Sequence, residues 1–238
     1  MSSAEVRTPT AGTAPHLPAV LLFDVYETLV DLSSLGTRFT EVGAVAQQAR
    51  TWLTHLLLDG MALTAARAQA HFGQLAEATL RSHLEAGQNL SCTLDEAVTH
   101  IMGAFEELDL HADVTSGLPA LAALGPRLVT LGNADAAVSE RLFARAGLAE
   151  LFEQHLSTDD AGMWKPSPAA YAYAAGRCRS RPAAMMLVAV HPWDINGAHL
   201  AGFRTAWINR AGATYPGYFH PPTVEARSLN DLAELLQS

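Results

Sequence analysis

Residues 18–29 read Pro18-Ala19-Val20-Leu21-Leu22-Phe23-Asp24-Val25-Tyr26-Glu27-Thr28-Leu29, and the change of character at Asp24 decides how the rest of the chain is read. An apolar run of this length, rich in leucine and valine and ending at a polar residue, reads as a buried strand. Residues 128–131 and 185–190 repeat the pattern, and residues 205–208 give a weaker fourth instance. Helical patterns follow these runs. Residues 135–146 are halted by Gly147 and residues 193–201 by Gly202, both suited to a left-handed glycine cap. A further helix over 169–177 is announced by Ser167 and a first-turn Pro168. Alternating strands and helices favour an α/β fold with a parallel sheet covered on both faces, whose ligands bind beyond the carboxyl ends of the strands.

Working outward from the first strand, residues 32–110 break the alternation, because no convincing strand occurs there. Val45, Ala49, Trp52, Leu53 and Leu56 recur at helical spacing, as do Leu80 and Leu84 ahead of Gly87. The clearest helix carries Leu94, Ala97, Val98, Ile101, Met102, Phe105 and Leu108 on one face, opened by Thr93-Leu94-Asp95-Glu96 in the pattern of a capping box. The expected division is a flexible tail over 1–15, an α/β core domain from 16–31 and 111–238, and a helical module over 32–110. Such a module either closes over a site or only adds core.

Composition narrows the function classes. The 238 residues are 49% hydrophobic, with no apolar run near the roughly 20 residues needed to span a bilayer. Fifteen Lys and Arg against twenty-four Asp and Glu leave a net charge of −9 and no basic cluster, which disfavours nucleic acid and anionic membranes as partners. Cys92 and Cys178 stand far apart without metal-like spacing, and the first fifteen residues lack a basic leader region, so a cytoplasmic protein with free thiols is expected.

The strand-end rule directs attention to Asp24, Asn133 and residues 191–194. Singly, each has an ordinary reading beside a chemical one. Asp24 is a helix cap or a nucleophile. Lys165, in Trp164-Lys165-Pro166, is a surface lysine or a catalytic cation, and Asp194 sits in a first helical turn where any carboxylate is favoured. His191 either holds or deprotonates a water with a near-neutral pKa, or caps the turn before Pro192. Trp193 and Trp207 read as packing residues, and His55, His71, His83 and His100 show no metal-like spacing.

Together, Phe23-Asp24-Val25-Tyr26-Glu27-Thr28-Leu29, Leu131-Gly132-Asn133, Trp164-Lys165-Pro166 with Tyr171, and His191-Pro192-Trp193-Asp194-Ile195-Asn196-Gly197-Ala198 resemble the haloacid dehalogenase superfamily. Within it, they are similar to the L-2-haloacid (type II) dehalogenases, over nearly the whole chain from Pro18 and including Trp207-Ile208-Asn209-Arg210. The resemblance implies a Rossmann-like core with an inserted all-helical cap. It also implies hydrolysis of short 2-haloalkanoic acids to 2-hydroxy acids through an aspartyl ester, by a homodimer needing no metal or cofactor. Asp24 would be the nucleophile, Lys165 would keep it ionised, Asp194 would orient Lys165 and help activate water, and Thr28 with backbone amides near Val25 would bond the nucleophile. Tyr171 would face the substrate, and Asn133 with neighbouring amides would take its carboxylate at a helix N-terminus. Phosphatases of the superfamily carry a second aspartate where Tyr26 stands here; a halide leaves without the proton such an acid supplies.

Departures from the pattern accompany the matches. Gly132 replaces a hydroxyl residue, Ala189 and His191 replace a serine and an asparagine that place water, and Leu53 falls where the family's halide-binding cap arginine is expected, three residues after Arg50. An indole N–H of Trp52 or Trp193 is the substitute donor for a halide. Three readings therefore stand: a 2-haloacid dehalogenase, a related hydrolase of another small carboxylate, and an idle member kept for binding.

Overall fold

A computed structural model describes residues 17–86 and 89–238; the expected tail over 1–15 and the helix stop at Gly87 lie outside the described residues. In chain order it forms β1 (Val20–Phe23), β2 (Val30–Asp31), α1 (Leu35–Glu41), α2 (Gln47–Ala65), α3 (Phe72–Glu85), α4 (Leu94–Gly103), β3 (Asp109–Leu110), α5 (Val114–Ala123) and β4 (Arg127–Gly132). There follow α6 (Ala136–Arg145), β5 (Phe152–Ser157), α7 (Thr158–Ala161), α8 (Pro168–Arg177), β6 (Met185–Ala189), α9 (Pro192–Leu200), β7 (Arg204–Ile208), β8 (Val224–Ala226) and α10 (Leu229–Gln237). Six strands make one parallel sheet in the order β5-β4-β1-β6-β7-β8. The α/β expectation is met. Both expected glycine stops adopt left-handed backbone, Gly147 at φ 71° and Gly202 at φ 86°.

The period-two geometry of β1 explains why its run is apolar throughout. Leu21 and Phe23 point into the layer shared with Val114, Leu118 and Leu121 of α5 and Leu229 and Leu232 of α10. Val20 and Leu22 point the other way, onto Tyr171 and Ala174 of α8 and Ile195 and Ala198 of α9. All four are fully buried, as expected of a central strand in a sheet covered on both faces. Four strands escaped the sequence reading: β2 and β3, too short to leave a pattern although β3 falls within 32–110 where no strand is expected, and β5 and β8 for the converse reason. β5 is Phe-Glu-Gln-His-Leu-Ser and β8 is Val-Glu-Ala, and both lie at sheet edges, where polar side chains reach solvent and no continuous apolar run is needed.

The helical module holds α1 to α4 around its own core of Leu35, Phe39, Trp52, Leu56, Leu80, Val98 and Ile101. Thr93 and Glu96 form the expected capping box at α4, although the helix ends at Gly103 and a short 3-10 turn carries Phe105. Val45 departs from expectation: it precedes α2 and is exposed. Antiparallel pairing of β2 with β3 ties together the two chain crossings between module and sheet. A second tie is Trp164, which packs so closely on α2 that a Cβ on Gly60 would lie 2.2 Å from its ring. Its indole N–H donates to the Ala70 carbonyl (3.2 Å) and its backbone N–H to the Thr64 hydroxyl (3.2 Å). The residue before Lys165 is thereby clamped to the cap.

Candidate active site

The carboxyl ends of neighbouring strands β5, β4, β1 and β6 bring together side chains that are far apart in sequence. Asp24 leaves β1, Asn133 leaves β4, Lys165 follows the short α7 after β5, and Asp194 lies in the first turn of α9 after β6. Lys165 is completely buried, not the surface lysine of its ordinary reading, and its Nζ donates to Asp24 Oδ1 (2.6 Å) and Asp194 Oδ2 (2.8 Å). The Thr28 hydroxyl donates to Asp24 Oδ2 (2.7 Å) and accepts the Val190 N–H (3.1 Å). Asp24 therefore does not spend its carboxylate on capping a helix.

These contacts set the charges. Burial alone would raise the Asp24 pKa, but the Lys165 cation, and after it His191, hold the carboxyl well below the ordinary carboxylate range. The Lys165 pKa is raised, because the attraction of Asp194 and Asp24 overcomes burial. Asp194 is pushed upward by burial, opposed by Lys165 and assisted by the negative charge of Asp24. The result is an ionised Asp24 among buried side chains.

Tyr171 was expected to face the substrate. Instead it is fully buried behind Asp194, donating its hydroxyl to Asp194 Oδ1 (2.6 Å). Gly197 permits this, since a Cβ there would meet the Tyr171 hydroxyl at 2.5 Å. Asn133 borders the cavity described below, but its Oδ1 accepts the Lys165 backbone N–H (3.1 Å) and the Thr158 hydroxyl (3.3 Å). The α6 N-terminus beyond it is capped by the Asp135 carboxylate, a poor neighbour for the second carboxylate expected there. Val25 turns its side chain into the cap-side core, and at Gly132 an added Cβ would meet Val25 Cγ2 at 3.5 Å and the Ala134 backbone at 3.6 and 3.7 Å, ordinary contacts, so a small side chain fits.

Asp24 opens onto a cavity of about 50 Å³ bordered by Tyr26, Glu27, Gly132, Asn133, His191 and Trp193 on the sheet side and by Leu32, Leu53, Leu56, Leu57, Phe72 and Phe105 from the cap. Space of this order holds only a few heavy atoms or waters. A wider cleft of about 860 Å³ adjoins it, sharing Glu27, Leu32, Leu53 and Leu57. Tyr26 stacks on Phe72 with ring centroids 5.8 Å apart. Leu53 faces both spaces, whereas Arg50 is exposed on the wide cleft alone. Trp52 cannot serve a halide: it is buried inside the cap, and its indole N–H donates to the Ala76 carbonyl (3.2 Å) and the Thr79 hydroxyl (3.1 Å).

His191 does not play the capping role of its ordinary reading. It occupies the N-cap position of α9 without a side-chain capping bond. Its Nδ1 lies 3.2 Å from Asp24 Oδ2 and its Nε2 2.7 Å from Glu27 Oε2, with Trp193 stacked on the ring at 5.0 Å. Burial disfavours its charge, yet bonds to the two carboxylates raise its pKa to about 10, far from the near-neutral value expected. Glu27 was overlooked, although it lies inside the stretch that decided the fold. Its backbone is left-handed, φ 63°, which costs a residue with a Cβ roughly 1–2 kcal/mol. No periodic signal marks such a residue. Among the described residues no group of three or more His, Cys, Asp or Glu is arranged to hold a metal ion, and no helix is long and apolar enough to cross a membrane.

Comparison with known proteins bears on the family and the fold. The family model for haloacid dehalogenase-like hydrolases matches residues 18–202. (S)-2-haloacid dehalogenase 4A of Burkholderia cepacia is 30% identical, covering 90% of this chain and 93% of its own. (S)-2-haloacid dehalogenase 1 of Pseudomonas sp. (strain CBS-3) is 29% identical, covering 90% and 95%. A crystal structure of a dehalogenase superposes with a TM-score of 0.86 at 30% identity, over 95% of this chain and 100% of that one. The L-2-haloacid dehalogenase of Xanthobacter autotrophicus shares the fold at a TM-score of 0.82 and 21% identity, over 93% and 99%.

Proposed function

The chain belongs to the haloacid dehalogenase-like hydrolases, and from that membership we propose that it hydrolyses short 2-haloalkanoic acids to 2-hydroxy acids through an ester on Asp24. The observation that carries the reading is an ionised, buried carboxylate held by Lys165 and Thr28 and open to a small, largely apolar cavity. An Asp24 oxygen attacks the carbon bearing the halogen, the carbon–halogen bond breaks, and the halide departs with the bonding pair. A tyrosine, not an acid, stands two residues after Asp24, and a departing halide needs no proton. Water then attacks the ester carbonyl and frees the hydroxy acid. Lys165 holds and orients the nucleophile; Asp194, steadied by Tyr171, holds Lys165. A lysine buried between two carboxylates carries a desolvation cost that an idle binding protein has no reason to keep.

The proposed substrates are haloacetates and 2-halopropionates, in keeping with the small cavity, and the relatives above are named for 2-haloacids. The reading extends to a cytoplasmic homodimer, whose mass light scattering would establish. To test the chemistry, the protein is incubated with chloroacetate, fluoroacetate and 2-chloropropionate in ¹⁸O water. The expected outcome is free halide and label in the Asp24 peptide after many turnovers. No halide from any of the three would reject the proposal.

A further inference from the structure

We infer a further activity: the Asp24 site also dehalogenates uncharged 2-haloamides, and favours them over 2-haloacids of the same size. The inference rests on the ester mechanism proposed above and concerns the charge of the substrate that mechanism serves.

The charges around the small cavity are unequal. Asp24, Asp194 and Glu27 stand against two cations, and both cations are already shared. Lys165 is divided between Asp24 and Asp194, and His191 between Asp24 and Glu27. Asp194 accepts hydrogen bonds from both Lys165 and the Tyr171 hydroxyl, as a carboxylate does. Three carboxylates against two cations leave one negative charge. Among the described residues no further cation borders the cavity. Arg50 lies on the wide cleft, and Arg210, also on that cleft, is bonded to Asp113 and the Thr28 carbonyl.

A 2-haloacid brings a second negative charge to this site, beside a nucleophile that is itself negative. The cap wall is apolar, and like charges repel more strongly in a low-polarity surrounding. A carboxylate held there without a free counter-ion is costly. A 2-haloamide has the same shape, with NH2 in place of one oxygen, and brings no charge. A cavity of about 50 Å³ that admits one admits the other, so size does not separate them.

The free polar atoms also match an amide. Asn133 makes its side-chain bonds through Oδ1, and among the described residues its amide nitrogen donates to nothing. His191 is bonded to Glu27 Oε2, and among the described residues Oε1 accepts nothing. One donor and one acceptor therefore border the same cavity. An amide offers a carbonyl to the first and an N–H to the second. A carboxylate has only acceptors, so it satisfies Asn133 and is repelled by Glu27.

The chemistry is that of the acid. An Asp24 oxygen bonds to the carbon bearing the halogen, the carbon–halogen bond breaks, and the halide leaves with the bonding pair. Water then adds at Asp24 Cγ, the bond from Cγ to the alkyl oxygen breaks, and that oxygen takes a proton to give a 2-hydroxyamide. One proton goes to solvent for each halide released. The carbon–nitrogen bond is untouched.

The test compares chloroacetate with chloroacetamide on the wild type, Asp24→Asn, Glu27→Gln and Leu53→Arg, reading chloride and the organic product. The wild type should turn over chloroacetamide to 2-hydroxyacetamide with kcat/KM about tenfold or more above that for chloroacetate, as a like charge without a counter-ion requires. Asp24→Asn should show only the stoichiometric chloride of cysteine alkylation. Glu27→Gln removes a negative charge from the cavity and Leu53→Arg supplies a cation, so each should lower the amide-to-acid ratio about tenfold. The ratio is taken within one variant, so misfolding, which abolishes both rates, does not imitate it. Chloride from chloroacetate but not from chloroacetamide, or a ratio below one, overturns the inference and leaves the 2-haloacid reading standing. A ratio that neither variant moves overturns it as well. Chloride from chloroacetamide alone upholds it and removes the 2-haloacid reading. No chloride from either removes the ester mechanism and both readings with it.

Discussion

On the sheet side of the small cavity, Asp24, Lys165, Asp194, Tyr171, Thr28, His191 and Glu27 are cross-linked by hydrogen bonds between 2.6 and 3.2 Å. On the cap side, Leu32, Leu53, Leu56, Leu57, Phe72 and Phe105 present no polar side chain at all. The two walls divide the labour. The sheet side fixes charges whose energies depend steeply on distance, and it does so from strand ends that cannot shift independently. The cap side surrounds the site with apolar side chains, and a low-polarity surrounding strengthens the ion pairs beneath it. Among the described residues it offers no cation to the small cavity, so for a chain of net charge −9 the attraction of an anionic substrate must be local.

The comparison can be broken most sharply on the polar wall. Asp24→Asn removes the nucleophile and is expected to lower halide release about 10⁴-fold, measured against enzyme of unchanged circular dichroism. Next in size is the seam between the walls. Gly60→Ala forces a methyl group against the Trp164 ring and should cost about 1–3 kcal/mol, read as a melting temperature lower by several degrees. An unchanged melting curve would mean that the cap is not clamped there.

A smaller effect, of opposite sign, is expected on the apolar wall. Leu53→Arg places a guanidinium toward the departing halide and should raise kcat about tenfold if that donor is limiting, the worth of roughly one charge-assisted hydrogen bond. An unchanged rate would remove Leu53 from the halide path. A further effect is on the pH dependence of stability. The folded-state pKa of His191 is raised from 6.5 to about 10, so its contribution is fully present below pH 6.5 and is lost as the pH rises toward 10. Denaturant midpoints of the wild type should therefore fall across that window more steeply than those of His191→Phe.

How far the sequence carried this reading depends on the kind of residue. Asp24, Thr28, Lys165 and Asp194 were legible as a set through family resemblance, and the structure brings them into one network. Tyr171 and Trp52 were placed on the right helices but given open faces, because helical spacing does not say which of two neighbours a ring will meet. Glu27 escaped notice because its importance comes from a contact with a residue 164 positions away and from a backbone angle, neither of which leaves a local pattern. The edge strands β5 and β8 escaped because an edge tolerates the polar residues that a central strand excludes.

By itself the sequence determined the alternation of strand and helix, the helical interruption after the first strand, and the rule that polar residues at strand ends carry the chemistry. Continuous apolar runs can be buried in few ways, and that restriction is written in the residues themselves. Only the tertiary structure decided which polar groups meet. Asp24 and Lys165 are 141 positions apart, and their contact follows from the strand order β5-β4-β1-β6, which sets four loops side by side. It also decided that His191 lies between two carboxylates. Periodicity reports the face on which a residue is buried; charge, pKa and reactivity depend on what stands opposite.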